Sequence, residues 1–414
     1  MMRNRRRLLL AAGGSIALGG CDYSFEHGVF NACRAELPPK LARDEAVLAA
    51  WDRIDATRVW DCHVHLIGIG DSGSGIWLSP AMFNIANPVQ YAQRLFFLNA
   101  GCVREGLGSV DQSYVDRMLN LLDGMRPGGK LVLLAFDRHY AADGTPLPDE
   151  TSFHVPDEYA LATVRRYPER FEWAASIHPF RRDSLEALRR AKGNGARAVK
   201  WLPAAMGIDP ASPRCDAFYA ELVKLDLPLI THGGMERAVN VGDRQHLGNP
   251  LLLRRALEHG VRVVIAHCAT LGVDRDLDRG EHGPYVASFS LFARLMDDPR
   301  YRTTLFGDIS AVTQINRAGP ALVALLEREE WHPRLLNGSD YPLPGIVPLY
   351  SVSQLVGLGV IERRLAPVLA EVREHNPLLF DFVLKRHLRA AGKRFPASVF
   401  ETRAFFLRTP AGAS

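Results

Sequence analysis

Eight short apolar runs, rich in β-branched residues, recur along this chain at intervals filled by helical-period segments, and that alternation constrains the fold more than any other feature. The runs are Arg58 to Cys62, Lys130 to Phe136, Glu172 to Ile177, Ala196 to Leu202, Leu227 to Thr231, Val261 to Ala266, Thr304 to Ile309 and Leu335 to Ser339. Between most of them lie stretches such as Tyr159 to Arg166, Ser184 to Lys192, Cys215 to Lys224 and Leu251 to His259, whose apolar residues follow the spacing of one helix face. Strands alternating with helices imply a parallel sheet with right-handed crossovers. Eight such units is the number that closes a (β/α)8 TIM barrel; an open doubly wound sheet is the alternative that alternation alone leaves.

Side chains able to bind metal sit where these runs end. Asp61-Cys62-His63-Val64-His65 ends the first, Val199-Lys200 the fourth, Thr231-His232 the fifth, Ala266-His267 the sixth and Ser339-Asp340 the eighth. In a closed barrel the C-terminal strand ends ring one mouth, so these distant positions converge there, which favours the barrel. His63 and His65 are two apart on a strand, so both imidazoles project from one face and can hold one ion. Asp61 shares that parity and lies deeper, within reach of a ligand imidazole or another donor. The same alternation points Cys62 away from both histidines; it and Cys268 read as small buried hydrophobes. Asp308, near the end of the seventh run, is placed to orient a neighbour.

One connection is out of proportion. Residues 66–129 hold the glycine-rich stretch from Gly68 to Gly75 and apolar helical stretches around Tyr91 to Leu98 and Tyr114 to Leu122. A loop this long at the mouth of a barrel is a candidate lid, or a packed accessory subdomain. The barrel is expected over residues 57–385, after a lead-in (22–56) with a helix from Ala42 to Arg53 and before a C-terminal extension (386–414). Helices from Ile361 onward are expected to close the base or rim. Arg138 and His139, after the second run, and His178, ending the third, are candidates for the substrate pocket. Parity turns Trp201 and Tyr341 away from the ligands, toward packing roles.

The chain has 414 residues, 47% hydrophobic and 23% charged, enough to bury a large core. Its 50 basic residues exceed 46 acidic ones only through Arg3, Arg5, Arg6 and Arg7. A protein balanced beyond its first residues has no electrostatic reason to take nucleic acid or an anionic membrane surface as partner. Residues 1–20 read as an export signal, with a basic start through Arg7 and an apolar run from Leu8 to Leu18 that is too short to span a bilayer as a mature helix. Leu18-Gly19-Gly20-Cys21 resembles the lipobox of bacterial lipoproteins, which implies acylation of Cys21 and anchoring on the periplasmic side of a membrane. Asn4-Arg5-Arg6-Arg7-Leu8-Leu9 also resembles a twin-arginine signal; an ordinary cleaved signal or a membrane-anchoring helix is the alternative. With Cys21 lipidated, five of the six cysteines remain, so at least one is a free thiol. Spacing leaves open whether Cys33, Cys102 or Cys215 pair in an oxidising periplasm.

The motifs together resemble the amidohydrolase superfamily, in its amidohydrolase-related branch. Val59-Trp60-Asp61-Cys62-His63-Val64-His65-Leu66 is similar to the first-strand motif, Leu227-Pro228-Leu229-Ile230-Thr231-His232-Gly233-Gly234 to the fifth, Val263-Val264-Ile265-Ala266-His267 to the sixth and Asn337-Gly338-Ser339-Asp340-Tyr341-Pro342 to the eighth. Asn376-Pro377 with Phe380 resembles the recurrent ending of that branch. The resemblance implies two divalent ions, of zinc type, with His63, His65 and Asp340 on the more buried one and His232 and His267 on the other. Lys200, in Val199-Lys200-Trp201-Leu202-Pro203, falls where binuclear members carry a carboxylated lysine bridging both ions. An ammonium cannot ligate a cation, so Lys200 either becomes a carbamate or stands aside. In the one-ion alternative His63, His65, His232 and Asp340 surround the metal, and His267 is a hydrogen-bond donor or general acid and base. The expected activity is hydrolysis of an ester, lactone, amide or similar bond in a small molecule by a metal-activated hydroxide, with Asp340 moving the proton. The alternatives are a mononuclear nonoxidative decarboxylase or C–C bond hydrolase of a carboxylated ring compound and a non-catalytic metal-containing binding protein.

Overall fold

The computed structural model describes residues 31–34 and 36–408, so the expected signal, Cys21 and the start of the lead-in lie outside the described residues. Each of the eight apolar runs supplies a strand: β1 (Trp60–His65), β2 (Lys130–Leu134), β3 (Phe171–Ala174), β4 (Val199–Trp201), β5 (Leu229–His232), β6 (Val263–Ala266), β7 (Leu305–Asp308) and β8 (Leu335–Leu336). They form parallel ladders in the order β1-β2-β3 and β4-β5-β6-β7-β8. Two seams join the ladders. Ala175 bridges to Val199 and Val64 to Tyr341, and at the second seam Cys62 N donates to Asn337 O at 3.1 Å, His65 N to Tyr341 O at 2.9 Å and Asp340 N to His63 O at 2.8 Å. The barrel is therefore closed, and the open sheet is excluded.

Its interior is built in layers. Trp60, Val132, Ala174, Ala198, Ile230, Val264 and Leu336 form one apolar cluster, sealed below by Phe406, whose ring lies 6.1 Å from that of Trp60. The C-terminal residues thus plug the base. Two residues beyond Ala198, Ile230 and the adjoining Phe306 come Lys200, His232 and Asp308, which the two-residue period of a strand stacks one layer higher.

In β1 the alternation breaks. Trp60 and Asp61 pair with Lys130 and Leu131, but Val64 and His65 pair with Leu133 and Leu134, so β1 holds one extra residue. This bulge corrects two expectations drawn from strict alternation. Cys62 packs in the barrel interior, on the same side as the histidines. Asp61, in register with the outward Leu131, ties β1 to β8 from outside by accepting from His63 N at 3.1 Å and Ser339 N at 2.8 Å. Gly338 makes room for this seam, since a Cβ there would sit 2.6 Å from His63 Cβ.

Helices Val110–Asp123, Asp157–Arg166, Ser184–Gly193, Asp216–Lys224, Arg254–Glu258, Ser288–Asp297 and Pro320–Glu327 follow β1 to β7, and Ala366–His375 and Pro377–His387 follow β8. The lead-in helix is two pieces, Pro39–Ala42 and Glu45–Ala50, because the Asp44 carboxylate accepts from Ala46 N at 2.9 Å and caps a new start. After β1 the chain folds into a cover. Gly68 to Gly75 wraps round the buried Asp111 carboxylate, which accepts from Ile69 N at 2.8 Å, Gly70 N at 3.1 Å and the hydroxyls of Ser72 and Ser74 at 2.8 and 2.6 Å. Trp77–Leu78 pairs antiparallel with Phe153–His154, and helix Pro88–Ala100 follows. A Cys33–Cys102 disulfide fastens the lead-in to this cover, while Cys62, Cys215 and Cys268 are free and buried. Among the described residues no helix is long and apolar enough to cross a membrane.

Candidate metal centre

At the C-terminal mouth the bulge of β1, the second interior layer and two strand-end turns bring their polar side chains together, with His63, His267 and Asp340 at the centre. His63 is buried and its Nδ1 lies 2.9 Å from Asp308 Oδ2. Donation from Nδ1 leaves the Nε2 lone pair free toward the centre, where it accepts from Lys200 Nζ at 3.1 Å and lies 3.5 Å from Asp340 Oδ1. His65 Nε2 reaches the same Asp340 oxygen at 3.2 Å. His267 is held the same way as His63: its Nδ1 faces Ser310 O at 3.1 Å and Ser310 Oγ at 2.8 Å, and its Nε2 points to Asp340 Oδ2 at 3.8 Å.

His267 and Asp340 sit on backbone that strands do not supply. Their φ angles are +56° and +61°, a left-handed conformation that costs non-glycine residues of order 1–3 kcal/mol and persists where surrounding contacts impose it. Here the contacts are His267 N to Asp308 Oδ1 at 3.0 Å and Asp340 N to His63 O at 2.8 Å.

Burial sets the protonation pattern. It lowers the proton affinity of His65, His232 and His267, the last to about 3, so these rings are neutral and able to donate lone pairs. Burial would raise Asp308 and Asp340, yet both lie below the ordinary carboxylate range, Asp308 through donation from His63 Nδ1 and Ser310 and Asp340 through its contact with His65. Lys200, 2% exposed, is shifted below the ordinary lysine value by burial, against the pull of Asp308 and Asp340.

This donor set fits a divalent cation. Ligand atoms of His63, His267 and Asp340 all lie within 4.8 Å of one another, and nitrogen and oxygen ligands about 2.0–2.2 Å from zinc stand roughly 3–3.5 Å apart, a small closure away. His65 and Lys200 touch members of the group. His232 stands at its edge, its ring 5.3 Å from that of His267, with Nδ1 3.4 Å from Glu236 Oε2 and Nε2 3.4 Å from Met235 O.

The three residues expected to touch substrate are elsewhere. Above the centre opens a cavity of about 340 Å³ walled mainly by apolar side chains, among them Ile76, Met82 and Phe97 of the cover and Phe136, Leu271 and Leu349, a volume within the range of small-molecule sites. Neither Arg138, His139 nor His178 lines it. Arg138 lies 5.3 Å over the Trp77 ring, His139 packs on Gly207, and His178 is buried with Nε2 donating to Met206 O at 2.9 Å and Nδ1 accepting from Phe180 N at 3.1 Å. The physical reason is that β2 and β3 end at Leu134 and Ala174, so alternation no longer governs the residues beyond. Trp201 and Tyr341 are buried in packing, 5.2 Å from the ring of Phe218 and 5.7 Å from that of Tyr114. Three polar residues of the site lie in turns beyond strand ends, without periodic signal: Ser310, Glu236 and Arg317.

Imidazoles and carboxylates gathered at the mouth of a (β/α)8 barrel are how one large class of barrel enzymes holds divalent ions at its strand ends. Residues 60–345 match the family model described as amidohydrolase, and the chain belongs to the amidohydrolase family, whose members are enzymes, hydrolases and decarboxylases among them, that use a divalent metal. No curated protein matches it. Among solved structures it is similar to an uncharacterized TIM-barrel protein from Bordetella bronchiseptica (16% identity, covering 75% of this chain and 94% of that one, TM-score 0.44). It is also similar to 2,6-dihydroxybenzoate decarboxylase from Rhizobium (14%, 78% and 97%, TM-score 0.38) and to 5-carboxyvanillate decarboxylase from Novosphingobium aromaticivorans (13%, 78% and 96%, TM-score 0.42).

Proposed function

We propose that this protein is a metal-dependent hydrolase of a small molecule, cleaving an ester, lactone, amide or similar bond. The observation that carries the reading is Lys200: an amine buried in the barrel interior, 3.1 Å from His63 Nε2, amid imidazoles and beside Asp340. A structural lysine buried in this way would need a carboxylate partner. Burial lowers the proton affinity of Lys200 below the ordinary lysine value, which favours the deprotonated amine, the form that can add CO2 to give a carbamate and release one proton. The carbamate oxygens would join His63, His65, His232, His267 and Asp340 as ligands to two zinc-type ions.

Ions held by these residues would supply an acidified water and an electrophile for the substrate's carbonyl oxygen. The chain supplies the rest. Asp340, ionised and central, takes the proton of the attacking water and returns it to the leaving group. Asp308 fixes the His63 ring and, with Ser310, the turn of His267. The apolar walls keep bulk water from the reacting bond.

Elemental analysis tests the reading: two ions per chain are expected, falling to one in Lys200→Ala, with a carbamate carbon signal from the wild-type protein in 13C-bicarbonate. A panel of esters and lactones should show turnover that His63→Ala/His65→Ala abolishes. A second reading, a one-ion decarboxylase or C–C bond hydrolase of a carboxylated ring, is favoured by the compactness of the three-donor group His63, His267 and Asp340. It requires one ion per chain, unchanged in Lys200→Ala, and activity on carboxylated aromatics.

We also infer export and lipid anchoring at Cys21. The Cys33–Cys102 disulfide supports an oxidising compartment. Palmitate labelling that persists in Cys21→Ala would remove the anchor.

A further inference from the structure

Arg317 is a buried guanidinium of the cavity that has no ion-pair partner among the described residues. It follows β7 in a buried turn, where its amide and that of Ala318 donate to Gln314 O at 2.9 and 2.7 Å, and its side chain lines the cavity beside Glu236 and Asp340. The residue is 8% exposed. Its guanidinium makes one long hydrogen bond, from Nη1 to Thr270 Oγ1 at 3.4 Å, and its Nε has no acceptor. Among the described residues no carboxylate forms an ion pair with it. The two nearest candidates are already engaged: Glu236 accepts from Ala238 N and from Val239 N, and Asp340 is ringed by His63, His65 and His267. Arg94, which also borders the cavity, is by contrast paired with Glu105 and bonded to Met82 O.

A buried guanidinium with unmet donors is costly, and such groups are retained where a ligand completes them. The planar fork matches a carboxylate, and the remaining walls are apolar. From these observations we infer that Arg317 binds a carboxylate carried by the substrate, whose apolar body lies among Phe97, Phe136, Leu271 and Leu349. The substrate class is thus a small organic acid, and in the hydrolase reading, on which the placement of the reacting bond rests, an acid bearing an ester, lactone or amide function.

Benzoate and benzamide, equal in shape and different in charge, provide the test by calorimetric titration of the protein as purified and after chelation of its metal. Benzoate is expected to bind roughly ten- to hundredfold more tightly than benzamide, the range of a charge-assisted bidentate contact, in both preparations. Arg317→Met should abolish that preference and leave benzamide binding within about twofold; Arg317→Lys should retain part of it. The inference is overturned if wild-type protein binds both compounds equally, if benzoate preference survives in Arg317→Met, or if it disappears with the metal, which would make the ion its receptor. Should Arg317→Met fail to fold, the wild-type comparison and Arg317→Lys decide. Failure of the hydrolase reading is distinct, showing as absent metal or absent turnover while benzoate preference remains.

Discussion

Two lysines are almost wholly enclosed by this barrel, and they are enclosed in opposite ways. Lys385, outside the strands on helix Pro377–His387, donates to Asp381 Oδ2 at 2.6 Å and Gly338 O at 2.7 Å, so its charge and its donors are met by partners the fold itself provides. The amine of Lys200, inside the strands, has a single hydrogen bond among the described residues, to an imidazole nitrogen that is itself a metal-ligand candidate. The first is a clamp: it fixes the carbonyl of Gly338, two residues before Asp340. The second lacks a carboxylate partner among the described residues, and in the proposed reading a carbamate completes it. Burial alone therefore says little about what a charged residue does; what separates structure from function here is whether its partners are already present.

The sharpest way to break this comparison is to remove the clamp. Lys385→Met would leave Asp381 buried without its cation, and losing one member of such a pair costs about 3–5 kcal/mol; urea unfolding should record that loss. Lys200→Met should do the reverse, leaving stability within about 1 kcal/mol of wild type, since no carboxylate is orphaned, while ester turnover drops by at least about a hundredfold. If Lys200→Met unfolds the protein as readily as Lys385→Met does, the two lysines are alike and the distinction fails.

The strand-end residues were legible in the sequence because position along a barrel strand is periodic, and periodicity is visible in a list of residues. Lys200, His232 and Asp308 follow interior residues by two, and counting finds them. Where the backbone departs from that period, counting fails: the bulge at Cys62 and His63 turned Asp61 outward, and the early ends of β2 and β3 took Arg138, His139 and His178 away from the cavity. Glu236 and Arg317 lie in turns whose direction is set by tertiary contacts, which nothing in the local sequence announces. The Cys33–Cys102 bond was open for the same reason, since 69 residues of separation give no hint of proximity.

Asp308 sharpens the comparison at smaller scale, because it acts on the site only through others. It accepts from His63 Nδ1, from the amide of His267 and from Ser310. Asp308→Asn keeps the shape and weakens the acceptor, so the His63 ring loses the charge that fixes its tautomer. Metal affinity, measured by competition with a chelator, should fall about 10- to 100-fold, with the unfolding midpoint little changed. An unaltered affinity would mean that the imidazoles are oriented by packing alone.

His178 offers the smallest effect and the cleanest sign. Like Lys385 it is buried with its partners in place, Met206 O and Phe180 N, and burial pushes its pKa down to about 3, below the ordinary histidine value of 6.5. A base whose proton affinity falls on folding is bound by more protons in the unfolded chain. Its contribution is therefore fully present above pH 6.5 and lost as pH falls toward 3, by about 1.4 kcal/mol for each unit in that window. Stability measured at pH 7.5, 6.5 and 5.5 should show that slope in the wild-type protein, superimposed on the titration of other groups. His178→Gln should be less stable at pH 7.5, where the two hydrogen bonds count, yet its curve should be flatter by about 1 kcal/mol between pH 6.5 and 5.5, since the unfolded histidine is half protonated at 6.5. A variant whose slope equals that of wild type would show that His178 is free to take up a proton in the folded barrel, and the division between groups completed by the fold and groups left for a ligand would not extend to it.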